Sequence, residues 1–384
     1  MIFETPDLGP EEEAALEKID ELRRELRYYV AEPRRWIGSV RRVMTAKAIQ
    51  GSNSIEGVNV SDEDAVAAVE GDEPIDAEDE AWEAVTGYRR ALTFILQLAH
   101  DAHFAYTPGL IRSLHFMMTE YSLDAGPGLW RPGPIWIRND VTGNVVYEGP
   151  EATEIPALVD ELVADLASDR DIPSMVRAAM GHLNLIMIHP FRDGNGRMSR
   201  CLQTLVLARD QILAPEWSSI EEFLGHSRNT QDYYRILADV GSVKWDPTQD
   251  ARPWIRFCLR AHYIQAASVL RRVRESEKIW QEIGSLAQTA GLQERSILAL
   301  FDAALGLKVR NGSYRASLRY AEEEISIQSA TSDLKAMVNA GLLLQNGKKR
   351  GTFYVASPSV AAIRIRLVEE RTPIDLDSVF RLAT

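Results

Sequence analysis

The sequence predicts a mainly α-helical protein that carries one small β-hairpin and ends in a helix-and-hairpin domain. Three observations carry that expectation. Apolar residues recur mostly at three- and four-residue spacing, the period of one helix face, and strand-like alternation is sparse. The stretch "RPGPIWIRNDVTGNVVYEGP", 131–150, sets β-formers on both sides of a Thr-Gly-Asn turn signal, which reads as a hairpin. From about Leu292 the character changes to helix, turn, helix, glycine-bounded turn and two short strands.

The chain has 384 residues, enough for a large core and two or three domains. Hydrophobic residues make up 45% and charged residues 26%, ordinary for a globular protein. The net charge of -13 excludes the molecule as a whole from nonspecific polyanion binding and leaves room only for a local basic patch. No apolar run approaches the roughly 20 residues that cross a bilayer, so no membrane partner is expected. The acidic N-terminus lacks a signal-peptide pattern, and the two cysteines, Cys201 and Cys258, read as small buried apolar residues. Together these predict a reduced, cytoplasmic protein.

Along the chain, a first helix is expected over 10–30, interrupted by Pro33, and a second over 34–55. The acidic stretch 70–81 reads as a loop entering a helix, its carboxylates favourable at a helix N-terminus. Helices follow over 76–100, 108–121, 155–168 and 172–188, with the hairpin between the second and third of these. A further long helix starts near Pro253. The expected division is 1–75 as an N-terminal helical region, 76–285 as a catalytic core and 286–384 as the C-terminal domain.

The chemistry is concentrated in "HPFRDGNGRMSR", 189–200, directly after the apolar run "LNLIMI". Pro190 stops the preceding helix near His189. Two glycines then stand at the mouth of a new helix starting near Asn195. They let a ligand approach the backbone at the positive end of the helix dipole, which suits phosphate. Arg197 and Arg200, three apart, share one face and can both reach phosphate oxygens. Asp193 stands where Mg²⁺ could be shared with those phosphates. His189 suits a general base. A base, an acid for a metal, a phosphate cradle and cationic clamps fit transfer of a phosphorus group from a nucleotide to a hydroxyl.

The same string resembles the signature of Fic-domain proteins, His-Pro-Phe-x-(Asp/Glu)-Gly-Asn-Gly-Arg-x-x-Arg, with every specified position filled. The resemblance implies a Fic-type helical core and transfer of AMP from ATP to a Ser, Thr or Tyr hydroxyl of a target protein or of the enzyme itself. On that reading His189 deprotonates the hydroxyl, and Asp193 binds Mg²⁺. Gly194, Asn195 and Gly196 cradle the phosphates, and Arg197 and Arg200 bind the outer ones. The hairpin stands where the family places a flap that docks the target by strand addition, with Ile137, Arg138 and Asn139 as flap contacts. Tyr233 and Tyr234 stand where the family has an aromatic pair near the nucleotide; the alternative is that both are core tyrosines.

Upstream, "GSNSIEG" (51–57) resembles the family's inhibitory motif, (Ser/Thr)-x-x-x-Glu-(Gly/Asn), matched by Ser52, Glu56 and Gly57. The resemblance implies that Glu56 pairs with Arg200 and withholds it from ATP, or that Glu56 orients a water for removing AMP. In the C-terminal domain eight basic residues face four acidic ones over 303–355. This pattern resembles a winged helix-turn-helix, with Ser326 and Ser329 as candidate caps of its second helix and Lys348, Lys349 and Arg350 at the wing tip. DNA or a protein partner then stands as its ligand. A nucleotide-sensing DNA regulator and transfer of UMP or phosphocholine are the competing functions, and long helices with apolar faces suit a homodimer.

Overall fold

The computed structural model describes residues 1–384 apart from 75, 139–142, 169–170, 349–350, 376–378 and 381–384. Its helices begin with α1 (Pro10–Ala31) and α2 (Ile37–Ile55), then α3 (Asp62–Glu70), α4 (Asp79–Leu98) and α5 (Pro108–Thr119). The hairpin follows as β1 (Trp136–Arg138) and β2 (Val145–Glu148). Next come α6 (Ile155–Leu166), α7 (Ser174–Ile188) and α8 (Asn195–Arg209), the short α9 (Pro215–Ser218) and α10 (Glu221–Leu224), α11 (Ser227–Gly241) and the long α12 (Arg252–Thr289). The chain closes with α13 (Ser296–Ala304), α14 (Asn311–Tyr320), α15 (Ile327–Asn339), β3 (Leu343–Asn346), β4 (Phe353–Ala356) and α16 (Pro358–Glu369). Among the described residues no helix is long and apolar enough to cross a membrane.

Local chemistry sets the helix ends. Pro108 and Pro253 stand in first turns, where the missing N–H costs nothing. Thr107, Ser61 and Ser326 each cap a helix by accepting a backbone N–H. Of the two serines singled out at α15, Ser326 is the cap, and Ser329 supplies the N–H. The stretch expected as loop from 70 follows a helix the periodicity missed. α3 has three acids in its first turn and only nine residues, too short for a clear apolar stripe. The entry of α4 lies at Asp79, a little later than expected.

Two apolar cores organise these elements. The first is built on α4–α8 with α11 and the start of α12. The second gathers Leu26 and Trp36 to Met44 from the N-terminal region, Leu213 and Trp217 from α9 and its approach, the later turns of α12, and α13–α16 with their hairpin. Residues from all three expected ranges therefore meet in the second core. Helix α2 belongs to both: Val40 and Met44 pack in the second core, Ile49 and Ile55 in the first.

The two hairpins differ in what supports them. In the first, Ile137 pairs with Tyr147 and Trp136 with Glu148, and a bulge follows Ile137. The outer edge of β2 is covered, since Glu148 N–H donates to Val243 O at 2.9 Å and Trp245 N–H donates to Glu148 O at 2.8 Å. Among the described residues no strand pairs with the outer edge of β1. In the second hairpin Leu343 to Asn346 pair in register with Ala356 to Phe353, and Val309 adds a two-bond bridge to Tyr354. Asp333 on α15 points inward, accepting from Arg295 Nε at 2.7 Å and from the Tyr314 hydroxyl at 3.2 Å. Of the expected wing-tip cations Lys348 is described, whereas Lys349 and Arg350 lie outside the described residues.

Candidate active site

The site forms where α7 ends and α8 begins. His189 closes α7 with φ +50° and ψ +58°, a left-handed conformation uncommon for a residue with a β-carbon. That turn swings the ring back over its own helix, where Nδ1–H donates to Ile186 O at 3.0 Å. The bond fixes the tautomer and leaves Nε2 as a proton acceptor. Burial pushes the imidazole down to about 4, despite the opposing pull of the Ile186 carbonyl, so the ring is neutral at pH 7.

The turn from 190 to 195 is held by side chains rather than by helical bonds. Asn195 accepts Phe191 N–H and donates to Phe191 O, both at 2.9 Å. Its amide is thus spent on the turn, and whatever it offers a ligand comes from its backbone. His115 on α5 stacks on the Phe191 ring at 3.7 Å between centroids, accepts Gly128 N–H through Nδ1 and donates through Nε2 to Asp193 O at 3.0 Å. Burial lowers His115 to about 4, which keeps it neutral for this role. Gly194 then caps α8 with φ +75°. The first-turn N–H groups of a helix have no intrahelical partner, so the N-terminus of α8 is a ready anion site.

The two arginines of α8 are held differently. Arg197 Nη2 pairs with Asp193 Oδ2 at 3.1 Å, while the Asp193 side chain is 61% exposed and open to further ligands. Arg200 is 1% exposed. Its Nε donates to Ser52 Oγ at 2.9 Å, and its Nη2 donates to Ser52 O at 2.9 Å and to Glu56 Oε1 at 2.7 Å. Among the described residues Nη1 is buried without a hydrogen-bond partner. Burial is the largest influence and lowers the Arg200 pKa, but the Glu56 carboxylate with Tyr233 and Tyr88 together outweigh it, and the net shift is upward. The Glu56 carboxylate also lies over Gly196, where an added Cβ would overlap Oε1 and stand 3.1 Å from Cδ.

The remaining predicted residues divide. Ile137 and Arg138 lie on β1, and Asn139 lies outside the described residues. Tyr233 and Tyr234 do not form one aromatic platform; their rings are tilted by 54°. Tyr233 is buried and donates to His182 Nε2 at 3.0 Å; His182 Nδ1–H donates to Gln203 at 2.6 Å, and Gln203 donates to His262 at 3.0 Å. Burial holds both histidines near 3, so this chain behind Arg200 carries no charge at neutral pH. Tyr234 is 48% exposed, and its hydroxyl donates to Ile55 O at 3.0 Å. It therefore supports the end of α2 that carries Glu56.

Three residues that organise the site were absent from the sequence reading. Arg131 N–H donates to Pro190 O at 2.8 Å and its Nε to His189 O at 2.9 Å, while Nη1 and Nη2 reach Gly133 O and Pro150 O, each at 2.5 Å. One buried guanidinium thus ties both ends of the hairpin to the backbone of His189. The Tyr147 hydroxyl adds a bond to Met187 O at 2.5 Å. His115 is the third. Their signals are single residues far from 189–200 in sequence, each ordinary on its own.

With this geometry in view, residues 105–207 match the model of the Fic/DOC family, and the chain carries a Fic domain. Over 120 residues the chain is 37% identical to protein adenylyltransferase fic-1 of Caenorhabditis briggsae, covering 29% of this chain and 20% of that protein. Over 83 residues it is 34% identical to protein adenylyltransferase Fic of Nematostella vectensis, covering 22% and 16% respectively. The matched stretches thus span a fifth or less of these relatives' lengths. Among solved structures, a Fic family protein from Desulfovibrio desulfuricans G20 superposes with a TM-score of 0.57 at 20% identity, covering 92% of this chain and 98% of that one. Fic-1 of C. elegans gives 0.53 at 21% identity, covering 70% and 73%. At these identities the structural likeness establishes a Fic-type fold.

Proposed function

We propose that this protein is an ATP-dependent protein adenylyltransferase that restrains itself through Glu56. The observation that carries the reading is one cluster: a neutral imidazole held through Nδ1, a helix N-terminus beside it, and a clamp arginine occupied by a carboxylate. In the reaction, His189 Nε2 takes the proton of a target Ser, Thr or Tyr hydroxyl. The hydroxyl oxygen attacks the α-phosphorus of ATP, the bond to the bridging oxygen breaks, and pyrophosphate leaves with the electron pair. The backbone at Gly194, Asn195 and Gly196 and the guanidiniums of Arg197 and Arg200 hold the phosphates in line. Mg²⁺ fits the donor set. One exposed carboxylate, Asp193, suits a cation that completes its shell with phosphate oxygens and water. When bound it would neutralise charge on those phosphates.

In the restrained state Glu56 spends a charge-assisted bond on Arg200 and fills the space above Gly196. ATP then meets a helix mouth that lacks its second clamp. The outer edge of β1, unpaired among the described residues, suits a target segment added as a strand, which asks for no fixed target sequence. We read 1–75, 76–285 and 286–384 as inhibitory region, catalytic core and C-terminal module. The order of α13 to β4 suits a winged helix-turn-helix in that module, for which salt-sensitive retention on duplex DNA is the test.

The deciding experiment incubates wild type, Glu56→Gly and Glu56→Gly/His189→Ala with labelled ATP and Mg²⁺. Removing one charged hydrogen bond of about 1.5–3 kcal/mol should raise AMP incorporation by roughly 10- to 100-fold in Glu56→Gly. Loss of the base should lower it by about 10²-fold or more in the double variant. Equal, silent traces from all three overturn the assignment.

A further inference from the structure

The restraint on Arg200 is built on a helix whose other end is held by the C-terminal module. The proximal half of α2 is seated in the second core. Trp36 packs against Phe301 of α13 with ring centroids 6.1 Å apart, and a Cβ at Gly38 would lie 3.7 Å from Tyr320 of α14. The Arg42 guanidinium is buried and donates to Asp302 Oδ2 at 2.9 Å; the same oxygen accepts Ser317 Oγ of α14 at 2.9 Å. At the rim Arg35 bonds Glu323 at 2.5 Å and Glu294 at 3.2 Å.

The distal half lies about 21 Å further along, counting fourteen residues from Arg42 to Glu56 at helical rise. There α2 meets the catalytic core. A Cβ at Gly51 would overlap the Glu221 carbonyl of α10, so the two backbones are in direct contact. Ser52 and Glu56 bind Arg200, and Tyr234 holds Ile55 O.

The segment after Glu56 stiffens the same arm. Gln50 donates to Val60 O and to Asp62, both at 2.9 Å, and Lys47 pairs with Asp62 at 2.6 Å. These bonds strap α3 to α2. In turn α3 reaches the module through Glu63, 3.6 Å from Lys308, and reaches Arg42 through Glu70 at 3.1 Å. A cleft of about 310 Å³ runs along this seam, lined by Val43, Lys47 and Glu70 on the arm and by Leu305, Arg310 and Arg364 on the module.

We propose that α2 and α3 form one rigid arm through which the C-terminal module sets the occupancy of Arg200 by Glu56. This rests on the inhibitory role given to Glu56 above and names what controls it. A packed helix transmits displacement along its length, because an interior near crystal density repacks in steps and does not stretch. Whatever engages the module and shifts α13–α14 carries α2 with them and withdraws Ser52 and Glu56 together. The clamp arginine then becomes available for phosphate. The enzyme is thereby gated by the state of a module that contributes no residue to the reaction.

The test cuts the seam without touching the site. Arg35→Ala removes a rim pair and should raise AMP incorporation by about two- to fivefold, the equivalent of a surface ion pair. Asp302→Asn weakens the buried partner of Arg42 and should raise it by roughly tenfold. Neither should add to Glu56→Gly, since both act through it. Hydrogen exchange read on the full chain should show faster amides over 50–58 in Asp302→Asn, with 176–186 unchanged. Seam variants that stay at the wild-type rate while Glu56→Gly is raised overturn the coupling and leave the inhibitory role intact. Silence in Glu56→Gly itself sinks the inhibitory role instead, and unchanged exchange over 50–58 then still refutes the arm. Arg35 lies at the rim, so its variant keeps the test open if Asp302→Asn fails to fold.

Discussion

The two ends of α2 are held by different physics. The proximal end sits in apolar packing around Trp36, Val40 and Met44 with a buried ion pair at its centre. The distal end relies on polar bonds, a serine and a glutamate on one arginine and a tyrosine on one carbonyl. Apolar packing of this size is lost only with the core itself. A charge-assisted bond can be exchanged for another of similar strength, and a nucleotide phosphate offers one. The contrast suits a permanent anchor at one end and a releasable latch at the other.

The largest expected effect lies at the anchor. Trp36→Ala should cost about 3–5 kcal/mol of the second core's stability, as a large buried aromatic truncated to alanine. Urea melts followed by circular dichroism should then separate into two transitions. A single transition at the wild-type midpoint would show that Trp36 does not anchor.

A smaller effect concerns Glu70, which shares Arg42 with Asp302. Burial, only partly offset by Arg42, pushes its carboxyl up to about 7 from 4.5. A carboxyl raised on folding favours the folded state while protonated. Its contribution is whole below about pH 4.5 and fades as pH rises through 7, at up to about 1.4 kcal/mol per pH unit within that window. The stability of wild type relative to Glu70→Gln should fall between these limits and level off above them. A difference that is flat from pH 4 to 8 would remove Glu70 from the anchor.

The smallest expected effect tests the latch. Tyr234→Phe deletes the bond to Ile55 O, worth about 0.5–1.5 kcal/mol, and should loosen the distal end. Basal AMP incorporation should rise by about two- to tenfold, with thermal stability nearly unchanged. An unchanged rate would place the tyrosine outside the latch.

The site was legible in the sequence where its residues are contiguous. His189 to Arg200 occupy one turn and the start of one helix, so spacing alone brings the imidazole, carboxylate, glycines and arginines together. The pairing of Glu56 with Arg200 was legible because its motif is local too. Arg131, Tyr147 and His115 were not, because their roles exist only once the hairpin and α5 fold against the turn. The sequence assigns the backbone at Asn195 to a phosphate cradle but does not reveal that its side chain closes the turn on Phe191. In the fold, long periodic helices were predicted well. The nine-residue α3 was missed because two turns carry too few apolar positions to mark a face.

The carboxylate above Gly196 has a consequence for how this protein can vary. A methyl group at that position would evict Glu56 and, in the same stroke, crowd the bed on which a triphosphate must lie. Under the proposed function, unrestrained activity is reached by altering the arm, and changes on the floor of the site silence it. Gain and loss of function fall on opposite sides of a single van der Waals contact.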